Sequence, residues 1–341
     1  MTEYDYELPA ELLARYPSDK RGDSKLLVVD RRSGELRHRR FSELVDLMSP
    51  GDLLVVNDTK VLPARLVGRK PTGAAAEVLL LAPALGEGES SRVWEALVRP
   101  GGKLKAGRSV EIGPELTVHI EKVLPNGNRL VRLEGPLQTA QALRLYGRVP
   151  LPPYLGRDAE PIDEERYQTV YAESDGSVAA PTAGLHFTPA LLAKLEARGV
   201  ERAEVTLHVG VGTFRPLEAE NPADHVMHEE RYTVPENTAR AIEACKNRGG
   251  RIWAVGTTVV RTLESVAVSR VRAGTTRLFI RPPYDFKVVD GLITNFHLPR
   301  STLLMLVSAL GGGSVIRKAY EEAIEHRYRF YSYGDAMVVL P

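Results

Sequence analysis

Between residues 53 and 133 the apolar positions fall in short runs broken by Gly and Pro: 53–57, 77–82, 93–98, 110–112, 116–123 and 130–133. Helical spacing is absent there, and runs of this length bounded by turn formers predict β-strands. Several short strands at near-regular intervals predict a small closed or half-closed barrel rather than an open sheet. After residue 151 the pattern changes. Thr188 and Pro189 precede an apolar stretch that runs to Arg198 and stops at Gly199, which predicts a helix with a capping Thr, Pro in its first turn and Gly at its end. Apolar segments at 252–255, 277–280 and 292–296 then alternate with helices from Val259, over 302–310 and around 316–326. That alternation predicts an α/β layer domain.

Val149-Pro150-Leu151-Pro152-Pro153 interrupts regular hydrogen bonding and stiffens the chain, so it marks a boundary. Residues 26–29 and 53–57 read as core strands that belong with the C-terminal portion. The expected fold class is therefore α/β: a larger three-layer α/β domain, residues 1–62 and 150–341, into which a small β-barrel domain, residues 63–149, is inserted.

With 341 residues, 43% of them hydrophobic, the chain can fill two domains of roughly 100–200 residues each. No window approaches the roughly 18 consecutive apolar residues of a membrane span, and Met1 to Tyr16 lacks the basic-then-apolar order of a secretion signal. A cytosolic location without membrane partners is expected. Cys245 is the single cysteine, which excludes an intrachain disulfide and a thiolate metal cluster within one chain. A net charge of +1 exerts no long-range pull on polyanions, so any nucleic-acid binding must rest on local patches. Two acid-free stretches offer them: Lys60, Arg65, Arg69 and Lys70 within 59–73, and Arg99, Lys103, Lys105 and Arg108 within 98–110. Both suit phosphates; both also suit solvated strand edges kept apart by charge.

The phosphate-cradling G-x-x-x-x-G-K-[ST], a G-x-G-x-x-G between strand and helix, and H-E-x-x-H are all missing, which leaves nucleoside triphosphate hydrolysis and ordinary dinucleotide chemistry unsupported. The densest unusual cluster runs from Gly176 to Thr188 and packs small residues around His186 just before the predicted helix. Small side chains admit close approach of a ligand, and an imidazole exchanges a proton near neutral pH. A second cluster, Thr206-Leu207-His208-Val209-Gly210-Val211-Gly212-Thr213-Phe214, ends a strand in a glycine turn, a common place for ligand contacts in α/β domains. In a third, Val255-Gly256-Thr257-Thr258-Val259-Val260-Arg261, Thr257 and Arg261 share a helix face and suit a carboxylate or phosphate. Asn295-Phe296-His297 closes a further strand, and Tyr331-Ser332-Tyr333-Gly334-Asp335 lies near the chain end. His225 and His228 have the spacing of a zinc pair without a fixed third ligand.

Taken in order, these clusters resemble the S-adenosylmethionine:tRNA ribosyltransferase-isomerases of queuosine biosynthesis. The matching stretches are Asn57-Asp58-Thr59-Lys60-Val61-Leu62-Pro63-Ala64-Arg65-Leu66, Gly147-Arg148-Val149-Pro150-Leu151-Pro152-Pro153-Tyr154, Arg166-Tyr167-Gln168-Thr169-Val170-Tyr171-Ala172, and the clusters at 177–188, 206–214, 256–264, 294–302 and 332–337. Lys60 stands where the family often has Arg, and Pro283 where Gly is usual. The resemblance implies an inserted β-barrel and transfer of the ribosyl part of S-adenosylmethionine to a 7-aminomethyl-7-deazaguanine at the tRNA wobble position. Epoxyqueuosine, adenine and methionine would result. It implies no metal and no resident cofactor, since S-adenosylmethionine is consumed as a co-substrate, and the partners expected are that molecule and tRNA, with the protein a monomer. On this reading His186 or His208 transfers the proton, Tyr154, Tyr171 and Thr182 surround S-adenosylmethionine, and Thr257, Thr258 and Arg261 hold a carboxylate or phosphate. Arg65, Arg99, Lys103, Asn295 and His297 are the expected tRNA contacts, the wobble base being turned outwards to reach the pocket. An RNA methyltransferase and a non-catalytic RNA-binding adaptor are the alternatives.

Overall fold

The computed structural model describes residues 2–84, 91–210, 225 and 227–341. Its larger sheet has nine strands in the spatial order Ala273–Thr276, Glu230–Thr233, Glu201–Leu207, Leu53–Asn57, Ile252–Val255, Gly291–Asn295, Ala336–Val339, Lys25–Val29 and Leu36–Arg40. Leu53–Asn57 pairs in parallel with Glu201–Leu207 on one side and Ile252–Val255 on the other, and Ile252–Val255 pairs in parallel with Gly291–Asn295. Strands from the first 60 residues thus sit between strands from beyond residue 200. Chain that leaves after Asn57 returns to complete the same sheet, and the barrel strands it forms on the way are an insertion.

Both faces of this sheet are covered, which explains the near-continuous apolar runs. Leu53 and Val55 point into a core shared with Val259, Val260, Leu263, Leu304 and Ile316, from the helices Thr257–Ser269, Thr302–Gly311 and Gly313–Glu325. Leu54 and Val56 point the other way, against Phe41 and Leu44 of a 3-10 segment and Leu191 and Leu195 of the helix Pro189–Ala197. Period-two alternation therefore feeds two cores at once and builds three layers. Each fully buried Leu, Val or Ile in them contributes about 1.5–3 kcal/mol. Among the described residues no single helix is long and apolar enough to cross a membrane.

The inserted barrel runs through Arg65–Arg69, Ala75–Pro83, Val93–Arg99, Arg129–Glu134, Leu116–Val123 and Ser109–Gly113, and closes where Arg69 pairs with Glu111. Leu66, Val78, Leu80, Trp94, Val118 and Val131 fill it, Leu143 of the helix Thr139–Tyr146 joins them, and Val178 of the larger domain reaches in as well.

Two expectations shift in detail. The strand expected at 277–280 lies instead at Ala273–Thr276, paired with Glu230–Thr233. Residues 277–280 have left the sheet: Ile280 is buried in the helix-side core and the Leu278 carbonyl accepts from Arg261 Nε at 3.2 Å, so the apolar signal there came from packing under a helix. The helix expected from Val259 starts at Thr257, directly after Gly256.

Candidate active site

Four parallel strands end side by side at Asn57, Leu207, Val255 and Asn295. A ligand site in such a sheet belongs outside the carboxyl ends of the strands. A cleft lies there, lined by Val209, Gly256, Thr257, Thr258 and residues 294–298, with Ala180, Pro181, Thr182, Ala183, Tyr154, Ser301, Leu303, Tyr331 and Ser332 completing its walls. The chain brings these together because each of its strands stops at the same edge. Thr257 and Thr258 open a helix whose first amide groups have no partners within the helix and favour electron-rich groups.

Tyr154 enters from the Pro-rich bend, hydrogen-bonds Ser332 and stacks obliquely on Tyr331 with ring centres 5.0 Å apart. The bend is pinned from behind. Asp163, with no exposed surface, accepts from Arg157 Nη1 and Nη2 at 2.6 and 2.8 Å, from the Glu160 amide at 2.8 Å and from the Tyr333 hydroxyl at 2.6 Å. Burial by itself would raise the Asp163 carboxyl, but these donors hold it below the usual carboxylate range. Tyr331 takes a left-handed backbone conformation, φ 73°, which costs a side chain of its size about 1–2 kcal/mol.

Of the expected site residues, Tyr154, Thr182, Thr257, Thr258, Asn295 and His297 line this cleft. His186 and His208 do not. His186 is buried behind Asn295: its Nδ1 meets Ser24 Oγ at 2.8 Å, its Nε2 meets Asn295 Nδ2 at 3.2 Å, and its ring lies on Phe41. Burial pushes its pKa down to about 3, so it is neutral at physiological pH. His208 precedes Val209, and strand alternation turns it to the opposite side, where Nδ1 meets Thr59 Oγ1 at 2.9 Å and the ring covers Gly176. Gly176, at φ +131°, has no Cβ because one would stand 2.9 Å from that ring. Tyr171 passes beneath the 182–186 turn with its hydroxyl against Gly184, outside the lining.

Arg261 follows Thr257 and Thr258 by one helical turn but is turned to Glu230, with which it forms a buried ion pair; burial draws its guanidinium down to about 10, still charged at neutral pH. Val211, Gly212, Thr213 and Phe214 of the second glycine cluster lie outside the described residues. His225 packs edge-on to Phe279. Among the described residues His38, Glu322 and His326 bring potential metal-ligand atoms within 4.8 Å of one another, at the sheet edge and away from the cleft.

Beside the barrel lies a second cleft, lined by Arg65, Glu77, Leu79, Leu97, Arg99, Pro150–Pro153, Gly156, Arg157, Asp158 and Val178. Arg65 pairs there with Glu77 and Asp158, each at 2.8 Å, whereas Arg99 and Lys103 are exposed and enter no ion pair among the described residues. The segments 150–156 and 178–183 supply walls to both clefts.

A family model described as queuosine biosynthesis protein matches residues 1–339. The chain belongs to that family. It is 50% identical over 343 residues to the S-adenosylmethionine:tRNA ribosyltransferase-isomerase of Thermotoga maritima, covering 100% of this chain and 99% of the relative. The protein of that name from Desulfitobacterium hafniense is also 50% identical, over 346 residues, with the same coverage. A crystal structure of the S-adenosylmethionine tRNA ribosyltransferase of Thermotoga maritima superposes with a TM-score of 0.57 at 41% identity, covering 99% of this chain and 100% of that one.

Residues that sequence reasoning passed over are mostly buried acids. Asp163 holds the bend, and Glu264 accepts from the Lys287, Val288 and Val289 amides at 2.9–3.1 Å. Asp163 sits in no conspicuous motif, and Glu264 closes the 256–264 stretch, where an acid between Leu263 and Val266 is the only sign of its burial.

Proposed function

We propose that the chain transfers and isomerises the ribosyl moiety of S-adenosylmethionine onto 7-aminomethyl-7-deazaguanine at the tRNA wobble position, forming epoxyqueuosine with release of adenine and methionine. The observation that carries this reading is that two unlike clefts lie on either side of shared walls, the segments 150–156 and 178–183. The one at the strand ends has no acidic or basic side chain among its described lining residues apart from the imidazole of His297; the other presents Arg99, with Lys103 nearby on the barrel. A turned-out nucleotide in the first and its flanking phosphates along the second is the arrangement an anticodon loop would need. We assign Tyr154, Thr182, Thr257 and Thr258 to the S-adenosylmethionine side of the first cleft and Arg99 and Lys103 to phosphates. Arg65 and Arg261 keep their carboxylate partners and shape walls.

Proton transfer goes to His297, the imidazole that lines the cleft. Its Nε2 meets Thr294 Oγ1 at 2.8 Å, its amide donates to Tyr320 at 2.8 Å, and burial pushes its pKa down to about 3, so in the free protein it is neutral and a weak base. His297→Ala should lower turnover by about 10²–10⁴. The decisive test is incubation with S-adenosylmethionine and tRNA bearing the aminomethyl precursor base. Free adenine and methionine support the reading, and S-adenosylhomocysteine as the product overturns it in favour of methyl transfer.

A further inference from the structure

Asn295 ends the strand Gly291–Asn295 at the floor of the cleft and is 1% exposed. Its amide nitrogen has two hydrogens and two acceptors: the Tyr331 carbonyl at 3.0 Å and His186 Nε2 at 3.2 Å. A backbone carbonyl can only accept, so the amide cannot be turned over without setting oxygen against oxygen. The His186 tautomer follows. Nε2 is the bare nitrogen and Nδ1–H donates to Ser24 Oγ at 2.8 Å. Everything on the nitrogen side is satisfied, and Asn295 Oδ1 is a buried acceptor without a hydrogen-bond partner. Leaving such an atom unpaired is costly, so its persistence at the floor of a binding cleft points to a ligand donor.

The chemistry of that donor is constrained by its surroundings. No carboxylate lines the described part of the cleft, so an ammonium group brought to this depth would be stripped of water without a counter-charge. A neutral N–H on a flat ring fits better, with the Tyr154 and Tyr331 rings beside it. We propose that Asn295 Oδ1 accepts a hydrogen bond from the 6-amino group of the adenine of S-adenosylmethionine, and that His186 is a positioning residue that holds the amide in this sense. The proposal rests on the function given above and names which part of the co-substrate the cleft floor reads. Ser24, His186, Asn295 and Tyr331 then form one chain of hydrogen bonds, drawn from four separate stretches of sequence, that leaves Asn295 Oδ1 without a partner in the free protein.

The experiment compares S-adenosylmethionine with an analogue carrying hydrogen in place of the 6-amino group, each with tRNA bearing the aminomethyl base. The unaltered protein should show a KM for the analogue raised by roughly ten- to a hundredfold, the effect of leaving a buried acceptor unpaired. Asn295→Ala should bring the ratio of the two KM values close to one, because the accepting oxygen is gone; comparing that ratio between variant and parent cancels the intrinsic difference between the two leaving bases. His186→Gln, which retains an acceptor towards Asn295 but cannot act as an imidazole, should keep the discrimination and turnover, whereas His186→Ala should lose discrimination with kcat little changed. Equal KM values for the two compounds in the unaltered protein overturn the proposal without recourse to any variant. An unchanged ratio in Asn295→Ala, or a change in KM for the tRNA alone, overturns it as well. Loss of kcat in His186→Gln as deep as in His186→Ala returns His186 to proton transfer. Absence of adenine release from S-adenosylmethionine itself would sink the parent reading instead.

Discussion

Two clefts share the 150–156 bend as a wall, and they differ in charge: the one at the strand ends presents hydroxyls, an amide and aromatic rings, while the one against the barrel carries Arg65, Glu77, Arg99, Arg157 and Asp158. The difference follows from position. Strand ends of a sheet covered on both faces are surrounded by core, where an unpaired charge costs several kcal/mol, so recognition there must use oriented neutral groups. The barrel flank faces water, where a charge keeps its hydration and its attraction for phosphate is long-ranged but weakened by salt. On the proposed function, shape and hydrogen bonding would read the substrate at one end and Coulomb attraction would gather it at the other.

The strongest way to break the comparison is to free the shared wall. Asp163→Ala removes the carboxylate that ties Arg157, Tyr333 and the Glu160 amide together and leaves a guanidinium whose side chain is 10% exposed without its partner. Loss of one member of such a pair costs about 3–5 kcal/mol. The measurement is the urea midpoint at constant m-value, and a shift under about 1 kcal/mol would mean that the bend is held by packing alone.

Acid is the next lever, and it acts on the neutral cleft. His186 and His297 have an ordinary pKa of 6.5 and are pushed down to about 3 by burial. Between those values the unfolded chain binds protons that the folded chain refuses, so stability must fall as pH drops through 6.5 and go on falling towards about 3. Each histidine contributes a slope of up to about 1.4 kcal/mol per pH unit. Asp163 adds to the loss only below its ordinary 3.8, because its folded pKa is depressed. His186→Gln should flatten the upper part of this curve; melting temperatures from pH 7 to 4 that run parallel in variant and parent would contradict the burial argument.

Much of the scaffold was legible because patterning at 53–57, 252–255 and 292–296 reports local environment directly: strands buried on both faces read as continuous apolar runs. The barrel was legible for the same reason, from short runs and turn formers. The run at 277–280 misled because Ile280 owes its burial to a helix above it, and a short apolar run carries no mark of which element covers it. Cleft residues were half legible. Thr257, Asn295 and His297 stand at strand ends, and a strand end is visible in sequence; the side to which His208 and Val209 turn is set by register with Leu53–Asn57, which is not. Nor does sequence distinguish an imidazole that reaches a ligand from one that reaches Asn295, since both sit among small residues.

Asn57 and Asn295 end parallel strands two apart in the sheet, and only Asn295 lines the cleft, which sharpens the contrast. Asn57 has every valence used: Nδ2 donates to the Leu207 carbonyl at 3.0 Å and Thr258 Oγ1 at 3.3 Å, while Oδ1 accepts from the Leu207 and Thr59 amides. Asn57→Ala strands buried backbone groups and should destabilise by about 1–3 kcal/mol, with a smaller rise in KM for S-adenosylmethionine than Asn295→Ala, transmitted through Thr258. Asn295→Ala should raise that KM further and cost less stability than Asn57→Ala, because it strands two acceptors, the Tyr331 carbonyl and His186 Nε2, while its oxygen has no partner to lose in the free protein. Paired thermal melts and KM values decide it; equal destabilisation by both would erase the distinction.

The smallest effects are expected on the charged side, where they are also the most diagnostic. Arg99 and Lys103 are exposed and unpaired among the described residues, so replacing either with Ala should leave the melting temperature within about a degree of the parent, surface changes being worth under about 0.5 kcal/mol. Binding of anticodon stem-loop RNA should nevertheless weaken, and the slope of log K against log salt should become shallower by about 0.7–0.9 for each phosphate left without its cation. Arg65→Ala should behave differently. Its guanidinium is already committed to Glu77 and Asp158, so removing it releases two carboxylates into the cleft and adds repulsion while every phosphate keeps its cation. Affinity should drop while the salt slope stays close to that of the parent. If instead Arg65→Ala shortens the slope as Arg99→Ala does, Arg65 exchanges its carboxylate partners for phosphate when RNA arrives, and its ion pairs with Glu77 and Asp158 are the resting state of an RNA-binding group rather than a fixed part of the wall.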